Sequence, residues 1–276
     1  MEWKLSPEIL AYYQRASETT RLQSGPSQLE FARTQEVIGR WLDRSPAVIL
    51  DVGGGPGAYA LWLAELGHEV HLVDPVAELV VHAQSLRGAD GRKIGSCRVG
   101  DARALDHRDH SADVVLLLGP LYHLIDPADR RQALHEAYRV LVPGGLLFAA
   151  AISRFASALD GLARDLFADP LFEQIVERDI ADGIHENRTG ELEMFTTAKF
   201  HRPDELDAEV RAAGFSVLSI VGLEGPGWLF ADFKERWEDP RRRDDLLRIA
   251  RALESEPSIR GVSAHVLAVA RRDADE

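Results

Sequence analysis

Five residues of near-continuous apolar character, Val48 to Val52, run straight into Gly53-Gly54-Gly55-Pro56-Gly57. Such a run suits a strand buried on both faces, the mark of a parallel sheet covered by helices. Glycines at its end let the backbone take positive φ and let a ligand approach main-chain N–H groups with no Cβ in the way. Asp74 ends the next apolar run 21 residues after Gly53, the spacing at which a Rossmann unit places the carboxylate that holds a ribose diol. Gly-Gly-Gly-Pro-Gly after an acid is a wider loop than the dinucleotide form, and Ala58 stands where Gly-x-Gly-x-x-Gly needs its last glycine. The turn therefore suits a nucleotide-like ligand without a pyrophosphate.

The same rhythm continues along the chain. Glu69–Val73, Ser96–Val99, Val114–Leu118 and Leu146–Ile152 read as further strands, and Phe215–Val221 and Ala264–Ala270 complete seven. Helical stretches separate them at 59–66, 76–86 and 130–141, the last stopped by Pro143-Gly144-Gly145, with others after Pro203 and Asp244. Upstream, Ser6-Pro7-Glu8 reads as a helix start and Ser24-Gly25-Pro26 as its break. A second helix opens with Ser27 and Glu30 in capping-box spacing and carries Phe31, Val37, Ile38, Trp41 and Leu42 on one face. Residues 154–202 break the pattern as a long connection with helical stretches and a polar section from Gly183 to Gly190. Connections of that length in a compact domain usually serve function, and this one reads as a substrate lid. The expected organisation is an N-terminal helical arm over 1–45 and an α/β domain over 46–276, with the lid inserted at about 154–202.

The bulk properties exclude several classes. A formal charge of −13 repels nucleic acid and anionic lipid. A single cysteine, Cys97, cannot form an internal disulfide, no Cys/His cluster has zinc spacing, and no metal is expected. Met1 to Lys4 lead into no apolar signal core, and the longest apolar run, Leu146–Ile152, is too short to span a bilayer. A cytoplasmic protein acting as a monomer or homodimer is the expectation.

Asp51, Gly53, Gly55 and Gly57 match acidic-x-Gly-x-Gly-x-Gly, the first motif of the Rossmann-like (class I) S-adenosylmethionine-dependent methyltransferases, which this chain resembles. The later motifs agree in order: Gly100-Asp101-Ala102 after the third strand, and Arg139-Val140-Leu141-Val142-Pro143-Gly144-Gly145 before the fifth. The likeness is strong over about 45–150 and topological beyond, and it is closest to bacterial small-molecule methyltransferases. It implies a doubly wound, mostly parallel seven-stranded sheet with an antiparallel last strand, and S-adenosylmethionine as cofactor with S-adenosylhomocysteine as product. It implies further that Asp51, Gly53, Gly54 and Gly55 lie at the methionine part, Asp74 and Pro75 at the ribose, Asp101 and Ala102 at the adenine, and Leu118 beside them. Arg33 is the expected partner of the cofactor carboxylate.

In open α/β sheets the reacting partner sits beyond the carboxyl ends of the strands. His123, after the fourth strand, is a candidate base, since imidazole titrates near neutrality; packing against the cofactor is its bland reading. His201 and Glu224 flank the sixth strand on the same side and are further catalytic candidates. Tyr12, Tyr13, Tyr122, His185, Trp228 and His265 are candidates for the acceptor pocket, Trp228 as a stacking surface. The function expected is methyl transfer to an O, N or C atom of a metabolite or natural product. The alternatives are a non-catalytic or regulatory S-adenosylmethionine-binding protein and a nicotinamide-dependent oxidoreductase.

Overall fold

The computed structural model describes every residue except 1–5, 16–17, 43–44, 188, 190, 192–193 and 275–276. Met1 to Lys4 and Gly190 therefore lie outside the described residues. The seven expected strands are all present: β1 (Val48–Val52), β2 (Glu69–Asp74), β3 (Ser96–Val99), β4 (Ala112–Leu117), β5 (Leu141–Ser153), β8 (Ser216–Gly222) and β9 (His265–Arg271). Two short strands add to them, β6 (Ile184–His185) and β7 (Ala198–His201). β3, β2, β1, β4 and β5 pair in that order and in parallel, β9 runs antiparallel to β5, and β8 antiparallel to β9. The chain thus reverses its direction of winding between β1 and β4, and a crevice opens beyond their carboxyl ends.

Alternate residues of each strand feed opposite layers, which is why the strands read as unbroken apolar runs. Leu50, Val115, Leu117 and Leu147 pack under α7 (Pro127–Val140) and α10 (Pro203–Ala212). Ile49, Leu72, Leu116 and Phe148 pack on the other face against α3 (Ser27–Trp41), α4 (Ala58–Glu65) and α5 (Ala77–Ser85). Val37 and Ile38 join that layer from α3, while Trp41 stays at its exposed edge. Local chemistry sets the helix starts: Asp126 accepts from Ala128 N at 2.8 Å with Pro127 in the first turn of α7, and Ser6 caps α1 (Pro7–Arg15) through Ile9 N at 3.2 Å. The capping box expected at Ser27 and Glu30 is absent, because Glu30 turns its carboxylate to Arg21 of α2 (Glu18–Arg21) instead.

Two departures have clear causes. β5 starts five residues early, since Leu141 pairs with Ala112 before the Pro-Gly-Gly turn, where Gly144 takes φ +84° and the register slips to Val114↔Leu146. The insertion is more than helices: α8 (Ala156–Arg164) and α9 (Pro170–Asp182) lead into β6 and β7. β7 pairs in parallel with Ile152 and Ser153 at the end of β5. β9 holds the other edge of β5 there, so β7 lies on the β4 side, beyond the end of β4. The segment is therefore stitched to the sheet beside the crevice. α6 (Pro120–His123), α11 (Phe233–Glu238) and α12 (Pro240–Leu253) complete the helices used below.

Candidate functional site

A cavity of about 390 Å³ occupies the crevice. Its floor is the glycine turn. A Cβ on Gly53 would lie 2.6 Å from Pro120, and one on Gly54 2.6 Å from Asp51 Oδ2, whereas one on Gly55 would meet nothing within 4 Å. Gly53 thus lets the β1 and β4 loops close up, Gly54 lets the turn fold over Asp51 and Leu72, and Gly55, at φ +54°, leaves open space in the cavity it lines. Asp74 stands beside it: Oδ2 accepts from Gly55 N and Oδ1 from Val76 N, each at 2.8 Å. Each oxygen keeps a second lone pair, which is what a vicinal diol needs. Burial raises the Asp74 carboxyl to about 6 although those two N–H groups pull it down. Asp51 is buried deeper, and Oδ2 has no hydrogen-bond partner. Burial, then the charge of Asp74, lifts its carboxyl to about 7. A buried carboxylate oxygen left without a partner at a cavity floor is a place prepared for a cation or a donor.

Pro75, Ala102 and Leu118 line the same cavity with Gly53 and Gly54, as expected. Asp101 lines it too, but its carboxylate is engaged by Arg103, through Nε at 2.8 Å and Nη2 at 2.7 Å. Arg103 also holds Asp129 at 2.7 Å. The expectation for Arg33 is overturned: its side chain is fully buried on the far side of α3, donating to Leu223 O at 3.3 Å and paired with Glu36 and Glu254. The arm's cation at the cavity is Arg21, tied to Glu18 at 2.9 Å and Glu30 at 2.7 Å. Nothing in the spacing of the arm singles Arg21 out, since the rotation of a short helix is fixed by what it packs on.

At the β4 end, His123 and Tyr122 line the cavity, and Tyr13 reaches down from α1. Tyr13 Oη lies 2.6 Å from His123 Nε2. The imidazole is enclosed edge-on by Tyr122 and tilted against Phe195 at 5.8 Å; burial drives its pKa down to about 3. Phe195 itself sits at φ +61°, a rare conformation for a side chain without a small or polar tip. No sequence pattern announces it. Tyr12 forms a second layer, edge-on to both Tyr13 and Phe195.

The remaining candidates lie elsewhere. His201 is fully buried with Nε2 3.4 Å from Glu209, in the seam between β7 and α10, so it is no base. His185 is held between Asp179 and the Met194 carbonyl and stacks on Phe200, behind Phe195. Trp228 donates to Val262 O at 2.9 Å and closes a loop instead of a pocket. Glu224 is buried and accepts from both His265 N at 3.0 Å and His265 Nδ1 at 2.6 Å. Neither residue lines the cavity directly; Glu30, 3.9 Å from His265, stands in front of them. Burial opposes charge on His265, but Glu30 and Glu224 outweigh it and raise its pKa. The ligand atoms of Glu30, Glu224 and His265 fall within 4.8 Å of one another, yet Arg21 and a charged His265 already balance the two carboxylates.

With this geometry in view, similarity to known proteins is informative. Residues 50–149 match a family model described as a methyltransferase domain. Over that stretch the chain is similar to methyltransferase domains. Among relatives, the ubiquinone biosynthesis O-methyltransferase of Azorhizobium caulinodans is 30% identical over 179 residues, which is 63% of this chain and 61% of that protein. Among solved structures, an S-adenosylmethionine-dependent methyltransferase from Mesorhizobium loti superposes with a TM-score of 0.58 at 17% identity, over 88% of this chain and 100% of its own. One from Methanosarcina mazei gives 0.57 at 19% identity, over 87% and 98%. The cofactor of such methyltransferases is S-adenosylmethionine, and the cavity fits it: a diol acceptor at Asp74, open backbone at Gly55 and a carboxylate oxygen without a partner on Asp51 lie in one space. The nicotinamide reading is set aside with it.

Proposed function

We propose that this chain is an S-adenosylmethionine-dependent O-methyltransferase acting on a small, uncharged acceptor. One observation carries the reading: a single cavity joins the Asp74 and Gly55 cradle to the Tyr13 and His123 pair. When bound, the cofactor supplies an electrophilic methyl group on a sulfonium, and the protein's part is to align the acceptor and keep water out. Asp74 would hold the ribose, the glycine turn and Asp51 the methionine part, and the Ala102 backbone the adenine edge. Tyr13, Tyr122 and His123 would wall the acceptor. The O-methyltransferase relative supports oxygen as the acceptor atom. Charge supports an uncharged acceptor, because the two arginines that line the cavity among the described residues, Arg21 and Arg103, each already hold two carboxylates. No helix among the described residues is long and apolar enough to cross a membrane, and the thiol of Cys97 is free; both suit a cytoplasmic enzyme.

The test is calorimetric titration with S-adenosylhomocysteine. Wild type should bind, and Asp74→Ala should lose about 100-fold in affinity, the scale of two hydrogen bonds to a charged group. Unchanged affinity in Asp74→Ala would put the ribose elsewhere.

A further inference from the structure

We propose that Tyr13 and His123 work as one proton-accepting dyad for a phenolic hydroxyl, the Tyr13 oxygen receiving the acceptor's proton as Tyr13 passes its own to His123 Nε2. The inference rests on the methyl-transfer reading above. Its basis is geometric. The two residues are 110 positions apart, on α1 and α6, yet Oη and Nε2 meet at 2.6 Å at the cavity wall. His123 Nδ1 has no well-formed hydrogen bond, and the Thr197 backbone is the group beside it that favours its charged form. Placing the ring proton on Nδ1 leaves Nε2 as an acceptor for the Tyr13 hydroxyl. The free lone pairs of the Tyr13 oxygen are then what the cavity is offered. Burial keeps the resting imidazole neutral and holds the Tyr13 phenol protonated, so both partners are in the states the relay requires.

The charge balance favours the step. The acceptor oxygen forms a bond to the methyl carbon as the carbon–sulfur bond breaks, its electron pair leaving on sulfur. The sulfonium becomes a neutral thioether, the hydroxyl proton moves to Tyr13 oxygen, and the Tyr13 proton moves to Nε2. One positive charge disappears from sulfur and one appears on His123, so the net charge of the enclosed space does not change. A buried imidazole is a weak base, however, and serves a hydroxyl that is itself acidic; a phenol meets that condition where an aliphatic alcohol does not. The aromatic walls of the cavity there, Tyr13, Tyr122 and His123, suit a flat ring.

The probe is 4-nitrocatechol, whose visible absorption reports its ionisation. With S-adenosylhomocysteine bound, the probe should bind wild type un-ionised and titrate at higher pH than in buffer, since so weak a base takes the proton only as the sulfonium charge is lost. With S-adenosylmethionine, Tyr13→Phe and His123→Gln should each methylate the probe about 100-fold more slowly, and the double variant no more slowly than either single one, as for residues acting as a unit. S-adenosylhomocysteine affinity should stay within error of wild type in both, and the folded circular dichroism spectrum should be retained. If the product binds and Tyr13→Phe keeps its rate, the dyad is refuted while the methyltransferase reading stands. If the product binds but the probe neither binds nor reacts, the phenolic acceptor is refuted. Failure to bind S-adenosylhomocysteine would strike the underlying reading itself.

Discussion

Asp51 and Asp74 are two carboxyls at one cavity floor, and neither is held at its ordinary value near 3.8; burial raises them to about 7 and about 6. Since both folded values lie above the unfolded ones, the stability they contribute is complete in acid and is lost as pH rises from about 4 to about 7. A cationic ligand beside Asp51 lowers its pKa again. Binding of S-adenosylmethionine between about pH 6 and 7 should therefore release protons, and affinity should rise with pH across that window. Calorimetry in buffers of different ionisation enthalpy measures the release; it should vanish in Asp51→Asn, and proton uptake in wild type would contradict the placement. These residues were legible in the sequence because a glycine turn after an acid is a demand of the backbone, stated locally. Arg33 misled for the opposite reason. Which arginine of a helical arm faces a cavity is decided by helix rotation and packing, and Arg21 reaches it only because Glu18 and Glu30 hold it there.

At the level of elements, α3 is fastened to the rest of the domain by charge. Arg33, Arg40 and Arg251 share Glu36 and Glu254, linking α3 to the end of α12. Burial would raise Glu36, but hydrogen bonds from Arg251, Arg40 and Arg33 lower it to about 2. Its contribution to stability is thus present above about 4.5 and is lost as pH falls toward 2. Replacing Arg33 with leucine leaves carboxylates without their buried partner and should cost about 3 kcal/mol in urea unfolding. S-adenosylhomocysteine affinity should not change, since Arg33 is remote from the cavity; a large drop in affinity would reinstate it as a ligand residue. The strands of the sheet could be read from the sequence because burial on both faces writes an unbroken apolar run, as in Val114 to Leu117. β7 could not. Ala198-Lys199-Phe200-His201 is four residues long and mixed in character, and only its pairing with Ile152 and Ser153 makes it a strand. Ser27 and Glu30 show the same limit, for a local cap lost to a distant arginine.

On the scale of the whole molecule, the cavity is closed by parts of the chain that have no reason to meet without it. The arm is joined to the body by Tyr13 to His123 at 2.6 Å and to the insertion by Thr197 to Glu8 at 2.6 Å. The floor belongs to the β1 and β2 turns, and the wall to α6. A ligand filling the space therefore touches several elements of the fold at once, and its binding free energy is added to folding as a unit. At about 100 times its dissociation constant, S-adenosylhomocysteine should stabilise the protein by about 2.7 kcal/mol. For a domain of this size that is a rise in Tm of roughly 5 to 10 °C. Differential scanning fluorimetry measures it, with Asp74→Ala as the control that should show almost no shift at the same concentration. Adding 4-nitrocatechol to the S-adenosylhomocysteine complex should raise the midpoint further, because the acceptor end is walled by Tyr13 of the arm and by Tyr122 and His123 of α6. A shift from the cofactor product alone, with none from the acceptor, would mean that the arm does not share in holding the second substrate.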